Sequence, residues 1–318
     1  SPDNQKIVAL AGELSNSVKT SGYGGLLLII DEFGKFLEFA SLHPDEEDVQ
    51  LMQELAEAAA RSKAPFLLLT ILHTEFSSYL PVADHVRRAE WAKVQGRFQD
   101  AVFLEPASQM LSLIGEALDS SLPAALFKKY HQEVGKALKS DAFREAKERL
   151  AIDDLAPACI PLHPVTAALL WPVFRSQLSQ NERSLFSFLT AAEPYGFQEF
   201  VTNTPVNECP RFYTPVWLYD YISSSLGAAA YQGTHARRWA ELTEAIDRLG
   251  ADAPEEVLGV LKTLGLLMLH GAAVGLKADE ETLNAAIGNL QEVQHAIQYL
   301  TENSIIVWRN HQKAFGLW

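Results

Sequence analysis

Cysteine and long apolar stretches are both scarce in this chain of 318 residues. It has two cysteines, Cys159 and Cys209, which are too few for a disulfide framework or a cysteine-rich zinc site and suit a reducing compartment. No run of 18 consecutive apolar residues occurs, so the sequence predicts no membrane-spanning helix. We therefore expect a cytoplasmic protein without a membrane partner.

Several site-forming patterns and an excess of basic charge are missing as well. The nine histidines show no HxxxH or HExxH spacing, and no Gly-x-Ser-x-Gly occurs, which argues against a zinc protease or a serine hydrolase. The 26 Lys and Arg residues face 40 Asp and Glu residues, which gives a net charge of −14. Non-specific binding to nucleic-acid backbones is disfavoured for such a chain.

The composition is otherwise that of a globular protein, with 48% apolar and 21% charged residues. A chain of this length predicts two or three domains, and the pattern favours three: residues 1–107, 108–252 and 253–318. In the first, an amphipathic helix with an apolar face at Ile7, Leu10, Ala11, Leu14 and Val18 precedes alternating strands and helices. Apolar runs at 26–30 and 65–72 predict strands buried on both faces, with a helix at 47–62 and a weaker strand at 101–104. This order is typical of an α/β domain with a parallel sheet.

The two later regions are predicted to be mainly helical. Residues 108–250 predict helices separated by short turns, with a polar, proline-containing loop at 202–210. Residues 253–318 predict three helices, the second capped by Asp279, and then two short strands, which is the outline of a winged helix. The predicted helices of the middle region are 108–118, 124–140, 141–150, 165–178, 182–193, 215–226 and 235–249.

The strongest local signal is the run LLLIIDEFGKFLEFA at residues 26–40. It places the adjacent acids Asp31 and Glu32 at the carboxyl end of a predicted strand, where open α/β sheets bind ligands. The plainer alternative is a solvated strand end that caps the next helix. Five apolar residues followed by Asp-Glu and an aromatic resemble the Walker B motif of P-loop ATPases. The resemblance implies that Asp31 orients Mg²⁺ through its water shell and that Glu32 polarises the attacking water.

The second predicted strand ends in polar residues, Thr70, His73 and Thr74. In AAA+ ATPases, which this order of motifs resembles, the strand beside Walker B ends in a polar residue called sensor 1 that contacts the γ-phosphate. His73 is the best-placed candidate and Thr70 a further nucleotide contact, although Asn, Thr or Ser is usual there. The alternative is that His73 only caps the strand end.

A basic residue precedes the weak third strand in the run GRFQDAVFLEP. It resembles the AAA+ setting of an arginine finger, which implies that Arg97 reaches the γ-phosphate of a neighbouring subunit in an oligomer. The planar, permanently charged guanidinium suits phosphate chemistry. The alternative is a surface ion pair of Arg97 with Asp100 or Glu105.

The run QNERSLFSFL at residues 180–189 resembles the start of the lid helix that carries sensor 2 in initiator-type AAA+ proteins. The resemblance implies that Arg183 contacts the nucleotide from the lid. A polar helix start at Asn181 with a solvated Arg183 is the alternative. We expect His163 and Pro164 to begin the preceding helix rather than to bind metal.

The motif that would hold the phosphates of ATP is missing. No GxxxxGK[ST] occurs, and Phe33-Gly34-Lys35 has a single glycine on the wrong side of the strand. In AAA+ order this loop lies upstream of Walker B. The expectation is therefore that the chain, which also lacks an initial Met, is a fragment of a longer polypeptide. The alternative is a naturally degenerate ATPase.

The predicted winged helix has the wrong charge for reading DNA. Residues 254–318 hold four basic and seven acidic side chains, and the run LQEVQHAIQYLTEN, in the place of a recognition helix, has no Lys or Arg. Phosphate anchoring requires the opposite balance. A protein-contact or intramolecular role is favoured, and only Arg309 and Lys313 in the predicted wing could touch a phosphate.

Taken together, the motifs resemble the back half of an AAA+/STAND-type ATPase module. The fold expected is a partial α/β parallel-sheet P-loop NTPase core, a helical lid and a C-terminal winged helix, with ATP and Mg²⁺ as ligands. The stretches TILHTEFSSYL, EWAKVQGRF, LHPVTAALL and SQNERSLFSFL further resemble large bacterial anti-phage defence ATPases. The resemblance implies three partners. They are further copies of the chain, bound through the Arg97 face, the missing N-terminal part of the same polypeptide and other defence-system subunits. A non-catalytic scaffold and a DNA-binding initiator are the alternatives.

Overall fold

The computed structural model describes residues 2–43, 48–73, 76–79, 85–101, 106–177, 181–206, 209–226, 235–250 and 252–318. The protein divides into two compact units, Ser1–Phe103 and Leu104–Trp318. It is mostly helical, and its described strands form one parallel pair and one antiparallel pair. The finer expectations of a P-loop core and a winged helix remain predictions.

The first unit is built on a parallel pair of strands. β1 (Leu26–Ile30) pairs with β2 (Phe66–Thr70) in a register that sets Leu26 opposite Phe66 and Ile30 opposite Thr70. Both strands were predicted, and their pairing is parallel as expected. Residues 102–105, most of the predicted third strand, lie outside the described residues. The helices of this unit are α1 (Pro2–Thr20), α2 (Phe33–Leu42), α3 (Asp48–Arg61) and α4 (His85–Gln95), with a 3₁₀ turn at Phe76–Tyr79.

Only one face of this parallel pair is covered by the described residues. Ile30, Phe66 and Leu68 pack against a core that all four helices of the unit share. The prediction of strands buried on both faces is therefore wrong here, because these helices share the core on one side of the sheet. The other face exposes a row of aliphatic side chains, which we call the outer sheet face: Leu27, Ile29, Leu67, Leu69 and Ile71.

Helix α1 also departs from its predicted packing. It contacts the core through Val8 and Ala11, and the buried hydroxyl of Ser15 lies 3.3 Å from that of Ser62. Ile7, Leu10 and Leu14, which we had expected to pack inward, are exposed. The helix is thus rotated so that its small residues approach α3, because small side chains permit the closer contact.

The second unit has one continuous apolar core that extends from Met110 to Leu317. The predicted loop at 202–210 is partly wrong, because its first residues complete a helix that Phe197 and Phe200 anchor in the core. The helices before residue 252 are α5 (Ala107–Ala117), α6 (Ala124–Ala137), α7 (Arg144–Leu150), α8 (Ile152–Leu155), α9 (Pro164–Gln177), α10 (Asn181–Thr190), α11 (Phe197–Asn203), α12 (Pro215–Leu226) and α13 (Ala236–Leu249).

The end of the chain follows the predicted order of helices and strands. The carboxylate of Asp279 accepts a hydrogen bond from the amide of Thr282 at 2.9 Å, which confirms it as an N-cap. Leu300, Ile306 and Leu317 belong to the same core as the preceding helices. The elements are α14 (Glu255–Leu266), a π-helical turn (Leu267–Gly271), α15 (Ala272–Val274), α16 (Glu280–Ile287), α17 (Leu290–Glu302) and the antiparallel strands β3 (Ile306–Arg309) and β4 (Ala314–Leu317).

Helix α14, the π-helical turn and α15 join into one apolar run, Glu255–Val274. By length and composition alone this 20-residue run could cross a membrane, which the absence of an 18-residue apolar run did not predict. In the fold, 67% of its most apolar window is buried inside the protein. Such burial is what the core helix of a soluble protein shows.

Candidate functional site

The carboxyl ends of β1 and β2 remain hydrogen-bonded to each other beyond the strands. The amide of Ile71 donates to the carbonyl of Ile30 at 3.0 Å, and the amide of Phe33 donates to the carbonyl of Ile71 at 3.0 Å. The turn after β1 is therefore fixed beside the turn after β2. This places the paired acids Asp31 and Glu32 at the same sheet edge as the polar end of β2, as the parallel pairing predicted.

The two acids form a tight turn between β1 and α2. The amide of Glu32 donates to Oδ1 of Asp31 at 2.8 Å, and Glu32 has left-handed backbone angles, φ 51° and ψ 35°. A non-glycine residue pays about 1 kcal/mol or more for this conformation, which proteins tolerate most often at functional sites. Phe33, which is buried, anchors the start of α2 directly after the turn. Both carboxylates are exposed at the sheet edge.

Glu32 has a basic partner that the sequence interpretation missed. Its carboxylate forms an ion pair with the ammonium of Lys35 one turn further along α2. The hydrogen bond to Glu32 and its negative charge raise the pKa of Lys35 above its usual value. The three-residue spacing on a helix was the available signal, because it puts two side chains on one face. The sequence motif alone shows only that Lys35 does not belong to a phosphate loop.

The end of β2 supplies the other two predicted side chains of this edge. Thr70 is the last residue of β2, lies opposite Ile30 and is partly buried. His73 lies three residues further along and is exposed. Thr74 lies outside the described residues. The structure thus brings Asp31, Glu32, Thr70 and His73 to one edge of the sheet, where solvent can reach them.

Arg97 lies in the turn after α4 and is paired with a different acid from those predicted. Its Nη2 lies 3.2 Å from Oε1 of Glu57 on α3, and the Arg97 side chain is 51% exposed. A hydrogen bond from Gln53, and then the charges of Arg97 and Arg61, lower the pKa of Glu57. Asp100, one predicted partner, instead accepts a hydrogen bond from Gln95 at 3.0 Å. The other, Glu105, lies outside the described residues.

The predicted lid arginine lies in the second unit. Arg183 falls in the first turn of α10, and its side chain lies outside the described residues. Its nucleotide contact therefore stays a prediction. His163 is confirmed as a helix start, since its Nδ1 accepts a hydrogen bond from the amide of Val165 at 3.2 Å in the first turn of α9.

The donor set at the sheet edge suits a magnesium ion that arrives with a nucleotide. Mg²⁺ in phosphoryl-transfer sites retains several waters and takes one or two carboxylates together with the phosphates. Within the ranges that the structure describes, no group of three or more His, Cys, Asp or Glu side chains could hold a metal by itself. Asp31 offers an exposed carboxylate, whereas that of Glu32 is paired with Lys35. The exposed carboxylate of Asp31 would therefore fit a Mg²⁺ ion held through its water shell.

Comparison with known proteins adds no family to these observations. The chain matches no family model, and no curated protein or solved structure is significantly similar to it. What bears on function is therefore the chemistry of the sheet edge and the motifs that surround it.

Proposed function

We propose that this chain is part of an ATP-hydrolysing molecular switch of the AAA+/STAND type, acting in the cytoplasm as an oligomer in bacterial defence or DNA transactions. The observation that carries the proposal is the shared edge of β1 and β2. There two adjacent acids follow one strand, Thr70 ends the neighbouring parallel strand, and His73 lies three residues beyond it. This is where an α/β sheet binds its ligand and where a Walker B acid pair would face a sensor.

The residues of this edge would divide the work by charge. Asp31 would orient Mg²⁺ through its water shell, and the ion when bound would neutralise phosphate charge. Glu32 would position and deprotonate the attacking water, and His73 would contact the γ-phosphate. The ion pair with Lys35 competes with this role, because the Lys35 ammonium occupies one of the carboxylate oxygens that would have to face the water. Nucleotide binding that drew Lys35 away would therefore activate Glu32.

The outer sheet face supports the view that a further layer of the protein covers the sheet in the working protein. Parallel strands normally have both faces covered, whereas Leu27 and Leu67 here are 53% and 63% exposed. An aliphatic row of this kind marks a contact surface. We assign it to the upstream part of the same polypeptide, which would also supply the phosphate loop and the contacts of Arg183.

The ion pair of Arg97 with Glu57 bears on the proposed oligomer. Half-exposed and held by one acid, the guanidinium is positioned at the surface rather than buried. An arginine finger must act on a neighbouring copy, so it must stay accessible. We therefore expect Arg97→Ala to lower ATP turnover only under conditions in which the protein is oligomeric.

Exchange of one exposed acid tests the proposed chemistry. In the polypeptide that carries this chain together with its phosphate loop, Glu32→Gln should retain ATP binding and reduce turnover by about 100-fold, as loss of a general base does. Glu38→Gln, on the exposed side of α2, is the matched control and should leave turnover unchanged. Equal turnover in the Glu32→Gln and Glu38→Gln proteins would remove Glu32 from the mechanism.

The two alternatives make different predictions. A scaffold with a degenerate ATPase fold would have no phosphate-loop motif upstream of this chain and would not bind ATP. A DNA-binding initiator would need free basic side chains in its terminal region. Three of the four basic residues there are engaged within the protein: Lys262 with Asp220, Lys277 with Glu145 and Arg309 with the carbonyl of Leu317. Absence of duplex binding at low salt would dispose of this alternative.

A further inference from the structure

A buried histidine lies in the π-helical turn of the second unit. His270 belongs to the turn Leu267–Gly271 and is 3% exposed. Single π-helical turns within α-helices occur frequently at functional sites. The site lies in the second unit and does not depend on the proposed ATPase.

The hydrogen bonds around His270 fix which ring nitrogen carries the proton. The hydroxyl of Ser176 donates to the carbonyl of Val173 at 3.1 Å, so its oxygen is left to accept from Nδ1–H of His270 at 3.4 Å. Nε2 then carries the lone pair. Nε2 is buried and has no hydrogen-bond partner among the residues that the structure describes. A buried imidazole lone pair without a partner is costly, unless it has a ligand to bind.

A second imidazole lies beside the first. The rings of His235 and His270 are 5.1 Å apart between centroids, with their planes at 69°. His235 is partly exposed at the start of α13, so solvent reaches this side of the pair. Burial, and then the charge of Arg238, lower the pKa of His235, and burial followed by His235 lowers that of His270 to about 3. Imidazole nitrogens are the commonest metal ligands in proteins, and these two rings are close enough to share one ion.

We propose that His270 and His235 bind a divalent transition-metal ion of the zinc class through their imidazole nitrogens. Ser176 is the positioning residue, because a metal-binding histidine usually donates its other ring N–H to an oxygen. Among the described side chains no third His, Cys, Asp or Glu joins the pair, so water would have to supply the remaining coordination positions. Imidazole and water together suit zinc, nickel or copper rather than magnesium. Arg238 opposes the bound charge and sets a limit on affinity.

Thermal unfolding of the chelator-treated protein with added ZnCl₂ tests this site. Saturating Zn²⁺ should raise Tm by about 3 °C or more, whereas MgCl₂ should not. The principal variant is His235→Ala, because its ring is partly exposed and its loss leaves the core intact. It should abolish the Zn²⁺ response, as should His270→Ala if that protein folds. The matched control is His295→Ala, on the exposed side of α17, which should respond like the wild type.

Two further variants separate a built site from incidental binding. Ser176→Ala removes the acceptor of the hydrogen bond from Nδ1–H of His270, so the ring is no longer held in place. It should weaken Zn²⁺ binding several-fold in calorimetry. Arg238→Gln removes the opposing charge and should tighten it. Absence of a Zn²⁺ response in the wild type, or the same response in His235→Ala, would overturn the proposal.

Discussion

At the scale of single residues, His163 makes the stability of the second unit depend on pH. It is buried, accepts from the amide of Val165 and donates to the carbonyl of Ala285, so it links α9 to α16 as a neutral ring. Burial lowers its pKa from 6.5 to about 4. The unfolded chain therefore binds the proton more readily. The stabilisation is complete above pH 6.5 and is lost as pH falls from 6.5 towards 4, by about 2 kcal/mol at pH 5.

Urea unfolding between pH 7 and 4 measures this contribution. His163→Asn keeps an oxygen that can cap α9 but is too short to bridge to α16. We expect it to lose about 1–3 kcal/mol at pH 7 and to show a shallower fall in stability below pH 6.5. His295→Asn, an exposed histidine, should keep the wild-type slope. An unchanged slope in His163→Asn would assign the pH dependence to other groups, His270 among them.

The residues of the sheet edge show how far sequence alone can go at this scale. Asp31, Glu32, Thr70 and His73 could be placed together because parallel strands end at one edge, whatever the details of packing. The ion-pair partners of Glu32 and of Arg97 could not be predicted in this way. Glu57 lies 40 residues before Arg97, and only the packing of α3 against α4 brings the two side chains within 3.2 Å.

At the scale of elements, two glycines end helices in the same left-handed conformation but in different surroundings. Gly275 after α15 has φ 76°, and Gly288 after α16 has φ 79°. A Cβ on Gly275 would lie 2.9 Å from the backbone carbon of Glu145, whereas nothing lies within 4 Å of one on Gly288. We expect Gly288→Ala to cost about 1 kcal/mol for the backbone alone, and Gly275→Ala about 1–3 kcal/mol more. Chemical denaturation of both variants measures the difference. Equal losses in the free energy of unfolding would show that α7 can move away from the new Cβ at Gly275 without destabilising the protein.

The elements also divide into those that local signals predict and those that they do not. Helices α16 and α17 begin at capping side chains, Asp279 and Asn289, and their predicted starts agree with the structure to within about a residue. The local pattern predicts no bounds for α2, α4 and α8, and it predicts a loop where α11 ends. In α11 the decisive contacts are those of Phe197 and Phe200 with the distant Tyr213, which no local pattern shows.

At the scale of the whole molecule, an apolar run does not specify how many faces of a strand are covered. Leu26–Ile30 is apolar throughout, so its sequence is compatible with helices on both sides of the sheet. The described helices share a core on one side, and the outer sheet face stays exposed.

We expect Leu67→Glu to lower the binding of an apolar dye by the isolated chain while leaving its Tm nearly unchanged. Leu42→Glu, on an exposed site outside this face, should change dye binding much less. A large loss of Tm in Leu67→Glu would show that the face is covered in solution.

The two units should also differ when they are produced separately. Residues 104–318 keep the whole core from Met110 to Leu317, and their number is within the size range of independent domains. We expect them to unfold cooperatively, with near-ultraviolet circular dichroism that indicates fixed aromatic side chains. Residues 1–103 keep a smaller core and an exposed aliphatic sheet face, so we expect them to self-associate and to bind apolar dyes. A broad, non-cooperative transition of residues 104–318 would mean that their core depends on the first unit. In that case the two units, although they are separate by their contacts, would not be independently stable.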